Sequence, residues 1–208
     1  MARRTPQELL SRFQIISDQV DARELGVILR ELDNRLVQRL GAVVELGCYV
    51  GTTSLFIRRI LDSHDMSARF DVYDSFEGLP PKTLHDISPA GEHFRTGELS
   101  TTRRELEMNF TKAGLRKPKI HKGGVNELTP DDMPDDLTFA YLDGDYYESI
   151  RDSLRVIEKK LLPGSVIVVD DYANEALPGA AKAVDEWMAG KLIKLRVESS
   201  LAILYMAQ

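Results

Sequence analysis

The sequence predicts an α/β protein: a doubly wound, Rossmann-like, mostly parallel sheet of seven strands, with helices added at the N-terminus. Three observations carry this. Between Ala42 and Val169, five short strand-like segments alternate with stretches of helical periodicity, the pattern of strand–helix–strand units in a parallel sheet. Two of these runs, ending in Tyr141-Leu142-Asp143-Gly144-Asp145 and in Val168-Val169-Asp170-Asp171, are continuously apolar and then break into acid. Strands buried on both faces read that way at their ends. Finally, two apolar runs near 192–197 and 201–206 lie too close together for a helix to fit between them, so they pair antiparallel.

The elements follow in order. Thr5-Pro6-Gln7-Glu8 is a helix start, with Thr5 as cap, Pro6 in the first helical position and Glu8 completing a capping box. Leu25, Ile28, Leu29, Leu32, Leu36 and Leu40 recur at helical spacing. These helices are expected to cover the sheet, to wall a substrate site or to pair two subunits, and residues 1–41 are read as a helical extension. Residues 42–208 are read as one globular unit. Its strands are expected near 42–46, 69–73, 118–121, 138–142, 165–169, 192–197 and 201–206, and its helices near 52–62, 100–113, 146–161 and 178–189. Seven strands closing on an antiparallel pair describe the class I methyltransferase variant of the doubly wound fold. Segment 78–99, rich in Gly, Pro, His and Thr, is too long for an ordinary connection and reads as either a functional lid or a disordered loop. Arg58-Arg59 and Lys159-Lys160 read as solvent faces of helices.

Composition narrows the function classes. The chain has 208 residues and a formal net charge of −6, which leaves no basic footprint for a nucleic acid. The lone cysteine, Cys48, excludes a disulfide within the chain and agrees with a cytoplasmic location; packing is its expected role. No run is long and apolar enough for a membrane span, and the first residues carry no apolar leader core.

Two constellations point to chemistry. Four aspartates, Asp143, Asp145, Asp170 and Asp171, sit where two buried strands end, the edge at which open α/β sheets bind ligands. Hard oxygen donors gathered there suit a divalent cation such as Mg²⁺. The second constellation is Glu45-Leu46-Gly47-Cys48-Tyr49-Val50-Gly51-Thr52-Thr53, a glycine turn between the first strand and a helix. Gly47 permits the sharp turn, Gly51 permits close helix packing, and the amides of Thr52, Thr53 and Ser54 face a bound group. Glu45 can accept from the ammonium of a methionine moiety, and Tyr49 crowds the place a dinucleotide pyrophosphate would need. Both details favour S-adenosylmethionine over a nicotinamide. Asp74 ends the second strand 27 positions after Gly47, a spacing suited to an acid that accepts from ribose hydroxyls. Ser75 borders the nucleoside, Gly123-Gly124 is a candidate wall for the adenine, and Asp143 is counted among the cofactor contacts as well.

These residues together resemble the macrocin O-methyltransferase family, Mg²⁺-dependent sugar O-methyltransferases of antibiotic tailoring. The runs that carry the likeness are Glu45–Gly51, Tyr73-Asp-Ser-Phe-Glu-Gly-Leu-Pro80, Leu142-Asp-Gly-Asp-Tyr-Tyr-Glu-Ser149, Val169-Asp-Asp-Tyr172 and Ala183-Val-Asp-Glu-Trp187, within residues 42 to 188. The resemblance implies Asp143, Asp170 and Asp171 as metal ligands and Asp145 as general base. It implies an S-adenosylmethionine-dependent enzyme that methylates a hydroxyl of a sugar or glycosylated small molecule. The lid segment 81–99 carries no family signature that aligns, so the acceptor stays open.

Alternatives stand beside these assignments. Asp145 also suits the N-cap of the helix beginning near Tyr146. Tyr146, Tyr147 and Tyr172 either line the pocket or pack at element ends. His85 and His93, in the lid, either touch substrate or stand exposed. The acceptor is a glycoside, a catechol or another vicinal diol; a non-catalytic cofactor-binding module is the reading from another class. A homodimer through the N-terminal helices is expected from the abundance of twofold oligomers.

Overall fold

A computed structural model describes residues 4–38, 41–64, 68–91 and 93–207; Leu40 lies outside them. Thr5 caps α1 (Pro6–Arg12) as its sequence announces: the Glu8 amide donates to Thr5 Oγ1 at 3.3 Å and the Thr5 amide to Glu8 Oε2 at 2.7 Å. In α2 (Ala22–Gln38) the residues Leu25, Ile28, Leu29, Leu32 and Leu36 form one buried stripe. The alternating pattern then gives β1 (Ala42–Leu46), α3 (Thr52–Ser63), β2 (Phe70–Asp74), α4 (Arg103–Lys112), β3 (Lys119–Lys122) and β4 (Leu137–Leu142). It continues as α5 (Tyr147–Ile157), β5 (Leu161–Val169), α6 (Pro178–Met188), β6 (Ile193–Glu198) and β7 (Leu201–Met206).

Helix boundaries shift where local chemistry decides them. Helix α4 starts at Arg103 because the Thr102 hydroxyl accepts from the Glu105 amide at 3.1 Å. Helix α5 ends at Ile157, and a single 3₁₀ turn, Glu158–Lys160, hands the chain to β5. That strand begins at Leu161, and a register shift between Leu137 and Phe139 of β4 absorbs the early start.

The sheet runs β3-β2-β1-β4-β5-β7-β6, with β7 antiparallel to both of its neighbours. Helices α1 to α4 bury their apolar stripes on one face, where Leu25, Leu29 and Leu32 join Val43, Phe139 and Val168 in one cluster. Helices α5 and α6 cover the other face through Ile150, Leu154, Ala180 and Val184. No helix among the described residues is long and apolar enough to cross a membrane. Arg58 departs from the sequence reading as a solvent residue. It is 1% exposed and packs within α3, with its guanidinium 2.8 Å from Asp62; Arg59 lies over the Phe13 ring at 4.0 Å.

Register positions the site. Leu46 lies level with Tyr73 on one side and Leu142 on the other, and Leu142 lies level with Val169. The next residues, Asp74, Gly47, Asp143 and Asp170, therefore form a row across the C-terminal edge of the sheet.

Candidate active site

That row floors a cavity of about 1350 Å³, walled by the 15–24 segment, the lid and the turns after β1 to β5. Of the cofactor residues expected from sequence, Glu45, Gly47, Thr52, Thr53, Asp74, Ser75, Gly123 and Asp143 all reach its wall. Gly51 does not. It starts α3 with a φ of +88°, behind the wall, and a Cβ there would lie 2.2 Å from Leu106 of α4. Gly47 is left-handed too, with a φ of +84°, and a Cβ would lie 1.8 Å from the Asp143 carbonyl. The close approach needed at Gly47 is thus between the cofactor turn and the acidic turn, which are also joined by the Asp143 amide donating to the Leu46 carbonyl at 2.9 Å.

Glu45, 1% exposed, accepts from the Ser54 hydroxyl. Burial pushes its carboxyl up to about 8, with Asp74 adding to the rise. A cationic ligand would reverse that penalty. Thr52 Oγ1 is buried on the cavity wall without a hydrogen-bond partner among the described residues. Asp74 has more work than the sequence suggested. Its Oδ2 accepts from the Cys48 and Tyr49 amides at 2.8 and 2.9 Å, and its Oδ1 accepts from the Phe76 amide at 2.7 Å. Three of the roughly four lone-pair positions of a carboxylate are used on the protein itself, which fixes the glycine turn and leaves room for one further donor. Tyr49 is held at a φ of +46°, beneath that grip.

On the other side of the cavity the four aspartates share the wall, and no cationic side chain among the described residues forms an ion pair with them. Tyr141, on the same face of β4 as Asp143, donates to Asp170 Oδ2 at 2.5 Å and stands 3.2 Å from Asp143 Oδ2. Burial holds the Asp143 carboxyl well above the usual range, and Asp170 and Asp145 reinforce it. Asp170 is pushed up to about 7 and Asp145 to about 8, in both cases by burial first and then by Asp171. Asp171 is raised by burial against the Asn174 amide group, which donates to it at 2.8 Å.

Among the described residues, no three His, Cys, Asp or Glu side chains stand together as a ready coordination shell. The donor set nonetheless fits a hard dication. Four carboxyl groups border the same cavity, two of them bridged by one hydroxyl, and none forms an ion pair with a lysine or arginine among the described residues. Buried carboxylates are otherwise paired or metal-bound. Asp143, Asp170 and Asp171 would hold the ion.

Asp145 is not the helix cap. The N-cap of α5 is Tyr146, which makes no side-chain cap bond, and Asp145, 8% exposed with a φ of +57°, borders the cavity. The cap comes from the lid, where Asp86 Oδ1 accepts from the Tyr147 amide at 2.7 Å. Tyr146, Tyr147 and Tyr172 pack rather than line the cavity: Tyr146 sits with Leu79 and Leu177, while the hydroxyls of Tyr147 and Tyr172 donate to Glu186 and Asp185. His93 reaches the cavity wall; His85 instead packs on the Tyr147 ring at 4.4 Å.

Three site residues escaped the sequence reading. Tyr141 carried a signal, since residues two apart on a strand share a face. Asp86 showed only its local capping box with Thr83. Glu24 carried none: it accepts from the Ser200 amide at 3.2 Å and from its hydroxyl at 2.5 Å, and its charge bears on Asp170 and Asp171.

Comparison with known proteins agrees with this architecture. The chain is 33% identical over 142 residues to 8-demethyl-8-(2,3-dimethoxy-alpha-L-rhamnosyl)-tetracenomycin-C 4'-O-methyltransferase of Streptomyces olivaceus, covering 65% of this chain and 54% of that protein. It is 32% identical over 157 residues to demethyldecarbamoylnovobiocin O-methyltransferase of Streptomyces niveus, covering 72% and 58%. The matched region thus spans little more than half the length of these curated relatives. The solved structure of the O-methyltransferase NovP superposes with a TM-score of 0.81 at 26% identity, covering 91% of this chain and 81% of that one. CalS11, a calicheamicin methyltransferase, shares the fold at a TM-score of 0.74 and 18% identity, over 98% and 90%. The family model for macrocin O-methyltransferase (TylF) matches residues 24–200, so this chain belongs to that family.

Proposed function

We propose that the chain is an S-adenosylmethionine-dependent O-methyltransferase that methylates a hydroxyl of a glycosylated small molecule, with a divalent cation held by Asp143, Asp170 and Asp171. The observation that carries this is the row at the sheet edge: a glycine turn backed by buried Glu45 lies beside an enclosed, uncompensated group of aspartates. The name of the Streptomyces olivaceus relative, an O-methyltransferase of a rhamnosyl-bearing tetracenomycin, supports the acceptor class.

The chain's own groups divide the task. Glu45 accepts from the ammonium of the methionine moiety, and Asp74 fixes the turn while offering one lone pair to a ribose hydroxyl. Bound S-adenosylmethionine would supply an electrophilic methyl on sulfonium, and the dication would supply Lewis acidity at the acceptor hydroxyl. Asp145 takes the hydroxyl proton as the acceptor oxygen bonds to the methyl carbon and the carbon–sulfur bond breaks, leaving S-adenosylhomocysteine. Burial and the neighbouring acids raise the Asp145 carboxyl in the ligand-free chain; beside a bound dication it would fall again and stay ionised to accept that proton. The lid residues His93, Phe94 and Leu99 enclose the pair and exclude water.

The test is calorimetry with S-adenosylhomocysteine, with and without Mg²⁺, followed by methyl-transfer assays on glycosides and on simple catechols. Transfer to glycosides that is lost in EDTA is expected. Cofactor binding without transfer to any acceptor would favour an inert binding module, and transfer confined to catechols would move the acceptor class. Tight NADH binding would favour an oxidoreductase.

A further inference from the structure

We propose that Asp86 of the lid is a positioning residue: it caps α5 in trans and thereby sets the turn that carries Asp145. The inference rests on the role of Asp145 proposed above.

The lid is a closed loop rather than a loose strap. At its base the Leu79 amide donates to the Glu98 carbonyl and the Gly97 amide to the Leu79 carbonyl, both at 2.9 Å. From that base the chain reaches out and plants Asp86, 1% exposed, between α5 and α6. Its Oδ2 accepts from the Thr83 amide and hydroxyl, each at 2.7 Å, and its Oδ1 accepts from the Tyr147 amide at 2.7 Å. Among the described residues no cationic side chain forms an ion pair with it. The compensating charge is the positive end of α5, whose own N-cap, Tyr146, supplies no side-chain acceptor. The partner lies 61 residues away, so this is a tertiary contact rather than a local cap.

The neighbouring helix is cut to fit. A Cβ at Gly179, in the first turn of α6, would lie 1.9 Å from Asp86 Oδ1 and 2.7 Å from the Tyr147 nitrogen. A second tie holds the same arm down, with the Ser88 hydroxyl donating to the Glu175 carbonyl at 2.6 Å.

The consequence falls on Asp145. It occupies the left-handed region, at a φ of +57°, which a side-chain-bearing residue keeps only where its surroundings enforce it. On one side the Asp143 amide is fixed to the Leu46 carbonyl at 2.9 Å; on the other the Tyr147 amide is fixed to Asp86. The arm that seats Asp86 belongs to the loop that also presents Phe94 and Leu99 to the cavity. The seating of the lid and the placement of the base therefore depend on the same hydrogen bond.

The experiment compares Asp86→Ala and Asp86→Asn with the wild-type chain in two readouts. Hydrogen exchange across 144–148 tests the latch without any activity; exchange in Asp86→Ala should rise at least about tenfold while the β4 and β5 amides stay protected. Steady-state kinetics tests the coupling: kcat should fall roughly ten- to hundredfold in Asp86→Ala, with S-adenosylhomocysteine affinity within about twofold of wild type. Asp86→Asn, whose amide oxygen can still accept from Tyr147, should recover part of kcat. Unchanged exchange at 144–148 overturns the latch. Faster exchange with unchanged kcat overturns its link to Asp145, as does a loss of kcat that Asn does not relieve and that cofactor affinity shares. If the wild-type chain transfers no methyl group, the proposed function fails, and exchange alone then decides whether the latch exists.

Discussion

The hydroxyl of Tyr141 stands 2.5 Å from Asp170 and bridges that carboxyl to Asp143, across two neighbouring strands. Among the described residues no other side chain bonds to both acids. The Tyr141 hydroxyl is itself held far above its ordinary pKa, by burial first and then by Asp143 and Asp170, so it stays a donor at any working pH. Tyr141→Phe removes the donor and lets the two carboxyl groups drift apart. Its expected effect is a roughly ten- to hundredfold loss of Mg²⁺ or Mn²⁺ affinity, the usual cost of removing a group that orients metal ligands. Titration calorimetry with Mn²⁺ reads it directly. An unchanged affinity would mean that the acids need no such brace.

Glu45→Gln separates binding from stability. The neutral amide keeps a hydrogen bond with Ser54 but cannot meet an ammonium with charge. Affinity for S-adenosylhomocysteine should fall by about 1.5–3 kcal/mol, the worth of a charge-assisted hydrogen bond. The melting temperature of the ligand-free protein should hold or rise, because a buried carboxyl without a cation is a liability. A variant that loses stability while binding normally would show Glu45 to be structural.

Asp145→Asn addresses the base. Removing a general base typically costs about 10²–10⁴-fold in rate. Affinity for cofactor product and for Mn²⁺ should be preserved, since neither the Glu45 turn nor Tyr141 is touched. A variant with an unchanged rate would remove Asp145 from the chemistry, and its position would then need another explanation.

The same buried acids make a pH prediction. Glu45 and Asp145 sit at about 8 and Asp170 at about 7 in the fold, against ordinary values of 4.5 and 3.8. A carboxyl raised on folding contributes stability that is full below its unfolded pKa and declines as pH rises through its folded one. The ligand-free protein should therefore melt at progressively lower temperature from about pH 5 to about pH 8 and level off above that. Saturating Mg²⁺ and S-adenosylhomocysteine should flatten the slope, as should the Glu45→Gln and Asp145→Asn substitutions combined. Calorimetric melting across that range checks the sign; a melting temperature that rises with pH would contradict the charge pattern of the cavity.

The positions and directions of most strands were legible because buried parallel strands leave apolar runs, and the acids at Asp143 and Asp170 mark where two of those runs stop. Setting Asp145 aside as the cap of α5 required tertiary information. The capping preference of an acid before a helix is local, and in this chain it lost to Asp86, which arrives from the lid. Asp74 was legible as a site acid but not as the acceptor for three amides, since that grip depends on how the turn at Gly47 folds back. Arg58 misled because its charge argues for solvent, whereas its long stem packs along α3 and its head finds Asp62. Glu24 was invisible: no pattern in α2 announces that its first turn meets the β6–β7 hairpin.

The attachment of α2 can be tested through Glu31. This buried acid accepts from Arg30 at 3.1 Å, from Arg196 at 2.6 Å and from the Tyr205 hydroxyl at 2.9 Å, tying the helix to β6 and β7. Both arginines are partly exposed and can turn to water, so Glu31→Ala should cost about 1–3 kcal/mol rather than the larger penalty of a fully enclosed pair. The manner of the loss matters more than its size. Leu25, Leu29 and Leu32 share one apolar cluster with Val43 and Phe139, so α2 and the sheet should melt together. Urea unfolding followed by far-ultraviolet circular dichroism and by Trp187 fluorescence should give a single transition, shifted to lower urea. An early step confined to helix content would instead show the N-terminal segment coming away from a sheet that stands without it.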